Sequence, residues 1–339
     1  MKVRQAIVMV GGMGTRLRPL TENRPKPMLS VADRPCIWYL LRSLARAGVE
    51  EVILACGYKP GMMEALGDGS DLGIKIIYSY EDTPMGTAGS MKLAEDRLDD
   101  VFIAAYGDIF ADIDVSEEVR IHFDNKADIT VALTAVEDPT QFGIARVDET
   151  GRILEFKEKP KPEEVFSNLI NAGIYVMNRS VLDKVPKDTF FDVSKELIPQ
   201  VMAEGRIQAY QLEGVWMDVG RPHDLLEANL LVAEREYRLK RFDSAVECCT
   251  KGSFYLGEGA FIGNSKAKST VISKGSKVVD SDLDRVLLLD DCEVSGATIV
   301  NSILGVGCRV GKGAKISNCV LADRTVVEEG SNLEGDRIV

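Results

Sequence analysis

Short β-branched runs alternate with amphipathic stretches through the first two thirds of the chain. QAIVMV at residues 5–10, EVILAC at 51–56, IKIIYS at 74–79 and VFIAAY at 101–106 read as strands, and the stretches at 37–47 and 87–97 repeat apolar positions at helical spacing. That alternation predicts a parallel sheet with helices on both faces. Four further runs, DITVALTAV, GIARVD, RILEFKE and NAGIYVMN, follow with a turn at 148–151, and predict a second, partly antiparallel half of the same domain. Helical periodicity at 191–201 and 224–235 predicts the helices that close it.

The pattern changes near residue 240. The last 88 residues hold 12 of the 30 glycines and no proline, histidine or tryptophan, so a second sheet-and-helix domain is not expected there. Apolar residues recur at six-residue spacing in places, as at 310–316 and 320–326, with Gly, Asn or Asp between them. This spacing predicts a short left-handed parallel β-helix of hexapeptide coils, interrupted by SDLDRVLLLDD; a small β-sandwich is the competing architecture. The expected domains are residues 1–240, carrying the chemistry, and 241–339, serving stability and assembly into a homo-oligomer.

Size and charge narrow the partners. A chain of 339 residues with 45% hydrophobic content can bury a sizeable core in two domains. Its net charge of −12 lacks the broad positive field that nucleic acid or an anionic membrane surface would need, so neither partner is expected. Apolar runs stay well short of the ~18 residues of a bilayer span, and no leader is visible. Seven cysteines, with Cys248 and Cys249 adjacent and no C-x-x-C spacing, suit neither a zinc site nor a disulfide framework, which predicts a reduced, cytoplasmic protein.

Against this acidic background one segment is basic. Residues 11–35 carry Arg16, Arg18, Arg24, Lys26 and Arg34 against only Glu22 and Asp33, directly after the first predicted strand. Glycines there let backbone N–H groups approach an anion, and the cations supply net charge, so the segment is suited to a small polyphosphate. It lacks the third glycine of a dinucleotide fingerprint, and the chain has no G-x-x-x-x-G-K-[ST], so neither an NAD site nor a P-loop is supported.

The pattern VGG-x-GTRLRPLT-x-x-x-PKPML resembles the signature of sugar nucleotidyltransferases, and the likeness continues in order along the chain through EDTPMGTAGS, FIAAYGDI, QFG, EKP, NAGIYV and VWMDVGRP. The wording of the first two motifs is closest to that of mannose-1-phosphate guanylyltransferases. The resemblance implies a Rossmann-like, GT-A-like α/β domain that joins a nucleoside triphosphate to a sugar 1-phosphate and releases pyrophosphate. It implies nucleotide contacts at Val10, Gly11, Gly12, Gly14, Thr15, Glu81, Gly86 and Thr87, with the backbone of Gly86 to Gly89 packing on the base. It further implies catalytic cations at Arg16 and Lys26, a sugar-phosphate site at Gly143, Glu158, Lys159 and Asn171, and Mg²⁺ held by Asp108 and Asp218.

Elementary chemistry accommodates those roles. In-line displacement at the α-phosphorus needs positioning and charge neutralisation, and an ionised phosphate oxygen needs no general base. A Mg²⁺ on a triphosphate keeps several waters and needs only one or two protein carboxylates. Glu81 can only accept hydrogen bonds, which suits the adjacent N1–H and N2 amino donors of guanine and favours GTP. A glucose-1-phosphate thymidylyl- or uridylyltransferase is the alternative within the class. A catalytically silent regulatory subunit is the alternative outside it, and the presence of Arg16, Lys26, Asp108, Lys159 and Asp218 together argues against it. An acyltransferase site in the C-terminal coils is disfavoured because that region has no histidine. His122 and His223 are assigned no role, lacking any recognisable acidic or hydroxyl partner.

Overall fold

The strand Gln5–Met9 is buried at every position, as expected for a strand covered on both faces. It pairs in parallel with Glu51–Cys56 on one side and Val101–Tyr106 on the other, and Glu51–Cys56 pairs in parallel with Lys75–Tyr80. The helices Cys36–Arg46 and Gly86–Leu93 lie between these strands in sequence. Beyond Val101–Tyr106 the sheet turns antiparallel: Leu169–Asn178 pairs with it and with Ile129–Ala135, while Gly143–Val147 pairs with Ile153–Glu158. With Ile207–Gln211 paired in parallel to Ile129–Ala135, the sheet has nine strands among the described residues, and Ile7, Ile53, Phe102, Ile129, Tyr175 and Leu197 meet in one core cluster. The computed structural model describes residues 2–57, 60–239, 248–335 and 337–338.

Two helix expectations change in detail. The stretch at 87–97 divides into Gly86–Leu93 and a 3-10 turn, Glu95–Arg97. The helix expected at 191–201 is a π-helical turn, Val193–Leu197, leading into Ile198–Glu204, because Pro199 has no N–H with which to continue an α-helical ladder. His122 does have partners, Thr130 Oγ1 at 3.1 Å and Asn178 Oδ1 at 3.2 Å, and burial pushes its pKa down, so it is a packing residue. His223 lies 3.8 Å from Glu227 on an exposed helix face.

The C-terminal strands form an all-parallel stack. Ser265–Ile272, Asp282–Leu288, Thr298–Leu304, Lys315–Ser317 and Asn332–Glu334 pair in succession on one face. Phe261–Gly263, Lys277–Val279, Glu293–Ser295, Arg309–Val310 and Val326–Val327 do so on another. The segment expected to interrupt the repeat is therefore a regular coil, with Leu283 inside and Asp282 outside. Paired residues are 16 or 17 positions apart, as in Lys266 with Asp282 and Thr298 with Lys315, which is shorter than three full hexapeptides. Left-handed backbone recurs in three ladders: Asn264, Asp280, Gly296, Gly313, Gly330; Ser269, Arg285, Asn301, Asn318, Gly335; and Gly259, Gly275, Asp291, Gly307, Arg324. Three such corners per coil make a triangular prism, and they account for the Gly, Asn and Asp content, since these residues tolerate positive φ best.

The compact units of the fold are discontinuous. One comprises Met1–Gly12 and Ile37–Trp216, the other Met13–Cys36 and Met217–Val339. The basic segment thus folds with the C-terminal part of the chain, and the boundary expected at 240–241 lies outside the described residues. Among the described residues no helix is long and apolar enough to cross a membrane.

Two glycines of one coil separate the constraints on this prism. Gly307 has φ of +70°, and a Cβ there would meet nothing closer than 3.6 Å, so Gly307→Ala should cost only the left-handed backbone penalty, about 1–2 kcal/mol. A Cβ at Gly305 would lie 2.6 Å from the backbone of Ala322 and Asp323, so Gly305→Ala should cost as much or more through overpacking, up to about 3 kcal/mol. Urea titrations of the two variants check the order.

Candidate active site

The parallel strands Gln5–Met9, Glu51–Cys56 and Val101–Tyr106 end side by side. Val10 N–H donates to Ala55 O at 2.9 Å and Gly107 N–H to Met9 O at 2.8 Å, so Val10, Gly11, Gly12, Gly57 and Asp108 leave one carboxyl edge together. Ligands of open α/β sheets bind at such edges. A Cβ on Gly107 would fall 2.4 Å from Val10 Cγ1, so only glycine lets the residue before Asp108 pack there. Gly12 is exposed with open space where a side chain would stand. Asp108 is half-buried, and among the described residues no three His, Cys, Asp or Glu side chains cluster as a ready metal cage.

Glu81 follows the Lys75–Tyr80 strand and closes its loop on itself. Its Oε1 accepts from Ser90 Oγ at 2.5 Å and its Oε2 from Met85 N–H at 3.2 Å, leaving one lone pair on each oxygen. Gly86 and Gly89, expected to pack their backbone on the base, have a packing role of their own. A Cβ on either would clash with backbone at residues 189–191, 2.7 Å from Phe191 O and 2.8 Å from Thr189 O, so these glycines admit that segment against the helix. Thr87 is used similarly: its hydroxyl accepts from Val193 N–H at 2.8 Å and donates to Asp192 Oδ2 at 3.3 Å. Gly86 and Thr87, expected to contact the nucleotide, thus also have packing and capping roles. Cys56 is held up at about 12 by burial and by the Glu81 and Glu64 carboxylates, which leaves it an inert thiol.

Gly143, Glu158 and Lys159 come together at the paired strands Gly143–Val147 and Ile153–Glu158. A Cβ on Gly143 would lie 2.8 Å from Glu158 Oε2 and 2.5 Å from Phe156 Cζ, so glycine makes room for the carboxylate. Lys159 adopts φ of +45° and donates its backbone N–H to Phe142 O at 2.9 Å. Asn171 is 7% exposed, and both its amide protons are taken, one by Tyr175 Oη at 2.6 Å and one by Ser194 Oγ at 3.0 Å. Asn171, expected in the sugar-phosphate site, orders a buried network with Tyr175, Tyr106 and Ser194, with one Oδ1 lone pair left beyond Gly173 N–H. Sequence reasoning missed that network and also Asp192, although the D-V-S-K-E order is a legible helix start: Asp192 Oδ1 caps Ser194 and Lys195 N–H.

The phosphate-type loop continues from Gly12 into the second unit. Gly14 is left-handed at φ of +61°, Thr15–Leu17 makes a 3-10 turn, and Thr21 Oγ1 donates to Gly14 O at 2.8 Å. Lys26 is only 6% exposed, with Nζ 3.1 Å from Asp218 Oδ1; Arg16 lies 3.9 Å from the other oxygen and is largely exposed. The structure thus brings Arg16, Lys26 and Asp218 together. Asp224 lies nearby, its pKa pushed up first by burial and further by the Asp218 charge.

A parallel sheet whose central strand runs on into a glycine- and arginine-rich segment, with Asp108 at the same carboxyl edge, defines a nucleotide-handling α/β enzyme with a β-helical extension. The chain belongs to the nucleotidyl transferase family: residues 5–235 match the family model described as "Nucleotidyl transferase", and residues 257–337 match "GlmU-like, C-terminal hexapeptide". It is 36% identical to the probable mannose-1-phosphate guanylyltransferase 3 of Oryza sativa subsp. japonica, across 95% of this chain and 91% of the relative. It is also 36% identical to the mannose-1-phosphate guanylyltransferase of Mycobacterium tuberculosis, across 97% and 82% respectively. A solved structure of a putative glucose-1-phosphate thymidylyltransferase from Bacillus anthracis superposes with a TM-score of 0.63 at 25% identity, over 71% of this chain and 98% of that one.

Burial first, and the Asp192 charge second, raise the Glu158 pKa, while Lys159 and Lys195 pull it down. A carboxyl raised on folding contributes stability that is whole below its unfolded pKa and is lost as pH rises through the folded one. Wild type should therefore lose stability relative to Glu158→Gln as pH climbs above the ordinary glutamate range, which paired urea titrations from pH 4 upward would read. A constant difference would remove the assignment.

Proposed function

We propose that this enzyme transfers GMP from GTP to mannose 1-phosphate, forming GDP-mannose and pyrophosphate. Nucleotidyl transfer to a sugar 1-phosphate is its reaction class; the observation that carries the reading of the site is the near-buried Lys26 held with Arg16 on one carboxylate, in a loop opened by glycines. The names of relatives that match along nearly the whole chain support guanine and mannose. Backbone N–H groups at 11–15 and the Arg16 guanidinium hold the β- and γ-phosphates, which depart as pyrophosphate. Lys26 neutralises the charge that grows on the α-phosphate. Lys159 holds the attacking phosphate, already ionised and in need of no base, and Glu158 accepts from sugar hydroxyls. Val10 sets the start of the loop.

The family implies a divalent cation, and the donor set fits magnesium: carboxylate oxygens are hard ligands, and one or two suffice beside phosphate oxygens and water. Asp108 and Asp218 would hold it, and when bound it supplies neutralisation of the triphosphate charge. Lys26 occupies one Asp218 oxygen, and a carboxylate has lone pairs for both partners. We propose a cytoplasmic homo-oligomer, a reading supported on the cytoplasmic side by the buried free thiols of Cys36, Cys56, Cys292, Cys308 and Cys319.

Asp108→Asn and Asp218→Asn should each lower Mg²⁺-dependent pyrophosphate release by orders of magnitude, since lost metal contact costs several kcal/mol at the transition state. Near wild-type turnover at saturating Mg²⁺ would remove that residue from the ligand set.

Nucleotide choice tests Glu81. If its remaining lone pairs accept from guanine, wild type prefers GTP over UTP and dTTP, and Glu81→Gln narrows the ratio of kcat/KM values by roughly ten- to a hundredfold. Ser90→Ala, which removes one loop bond and keeps the carboxylate, should preserve the preference. A wild type that prefers dTTP or UTP would place the protein in the thymidylyl or uridylyl branch.

A further inference from the structure

The basic loop is docked along one corner of the parallel stack. That corner is built by Glu258, Lys274, Asp290, Val306 and Asp323, tied tier to tier where Gly275, Asp291, Gly307 and Arg324 donate to the carbonyls of 258, 274, 290 and 306. At the first two tiers Asp33 of the loop accepts from Glu258 N–H and Lys274 N–H, each at 3.2 Å, and from Tyr255 Oη at 3.1 Å. A Cβ on Gly257 would stand 2.7 Å from Asp33 Oδ1, so the corner is shaped to admit that carboxylate. At the last tier Arg24 Nη2 donates to Asp323 Oδ2 at 2.5 Å, with both side chains largely out of water. Asp323 is itself held, because its other oxygen accepts from Val306 N–H at 2.9 Å. Between these anchors the buried Asn229 of the helix Pro222–Leu239 accepts from Ala32 N–H at 2.7 Å and donates to Ser30 O at 3.2 Å.

We infer that the C-terminal coils position the phosphate-binding loop, with Arg24, Asp33 and Asp323 acting as positioning residues for Lys26 and Arg16. Arg24 and Lys26 are separated only by Pro25, whose fixed φ transmits the placement of one to the other. A charge-assisted hydrogen bond removed from bulk water is among the stronger and more geometrically specific contacts available, whereas the exposed ion pairs elsewhere on the coils fix little. The coils then contribute to substrate binding as well as to stability, through a surface that touches no substrate. This rests on the reading that the loop handles the nucleotide's phosphates.

The test pairs Arg24→Gln, which leaves the coil intact, with Asp323→Asn, which keeps an acceptor for Val306 N–H. Each should raise the KM for the nucleoside triphosphate roughly tenfold, without changing the KM for the sugar phosphate. The double variant should be no worse than either single one, because both remove the same bond. Amide hydrogen exchange at residues 13–28 should accelerate in both variants without ligand present, and Arg24→Asp combined with Asp323→Arg should restore part of the protection. Glu293→Ala, on another face of the coils, serves as the control and should change neither. Wild-type exchange in that segment together with a wild-type nucleotide KM would overturn the inference, as would a fall in melting temperature alone. If the unmodified enzyme released no pyrophosphate from any triphosphate, the functional reading would fall, while the exchange measurement would still decide the docking.

Discussion

An ammonium group that is almost removed from water has to sit against an anion, because its desolvation is otherwise too costly to sustain. Lys26 meets that requirement with Asp218, 192 positions later in the chain. The pair fixes much of what surrounds it. The basic segment must fold with the part of the chain that begins at Met217, which is why the compact units are discontinuous. Residue 14 favours glycine, since its φ is +61° and a Cβ there would press to 3.2 Å from Lys26 Cβ and 3.1 Å from Thr21 Cγ2. Arg16 shares the carboxylate at a longer distance and with most of its surface in solvent, so this contact adds little to the fold.

A parallel prism is well suited to hold such a loop. Its corners present backbone N–H groups tier after tier in one direction, and a carboxylate laid across two tiers can be gripped without any cation, as Asp33 is. Farther along, the prism supplies the anion and the loop supplies the cation, as in Asp323 with Arg24. Asp290, between them, has its pKa raised by burial and by its Asp33 and Asp291 neighbours and lowered by Arg24 and Lys274. Opposite charges thus meet at the Asp323 tier, whereas Asp290 and Asp33 repel one another and depend on Arg24 and Lys274 for compensation.

The strands of the sheet were legible because burial on both faces writes an unbroken apolar run: EVILAC and VFIAAY have the same limits in sequence and structure. The prism was legible by composition but not by register. Six-residue counting fails where coils contain 16 or 17 residues, and so a regular strand, Asp282–Leu288, looked like an interruption. Glycine is ambiguous for a related reason. Gly86 and Gly89 carry the same letter as Gly12, yet they face the backbone of 189–191, which lies a hundred residues away and leaves no trace in local pattern. Asn171 illustrates the same limit: its sequence context cannot say that both amide protons are already spent on Tyr175 and Ser194.

On the proposed reading, the sugar side is governed by the sign of its charges. Glu158 sits where burial and the Asp192 carboxylate both disfavour its anionic form, so the ligand groups that suit it are donors, and an added phosphate beside it would make matters worse. Lys159 and Lys195 act on Glu158 in the opposite sense and are the natural partners for an anion. On the proposed reading, a sugar 1-phosphate satisfies both demands in one orientation only, with hydroxyls toward Glu158 and the phosphate toward the lysines. Gly143 leaves the room that Glu158 needs, because a Cβ there would stand 2.8 Å from Glu158 Oε2 and 2.5 Å from Phe156 Cζ.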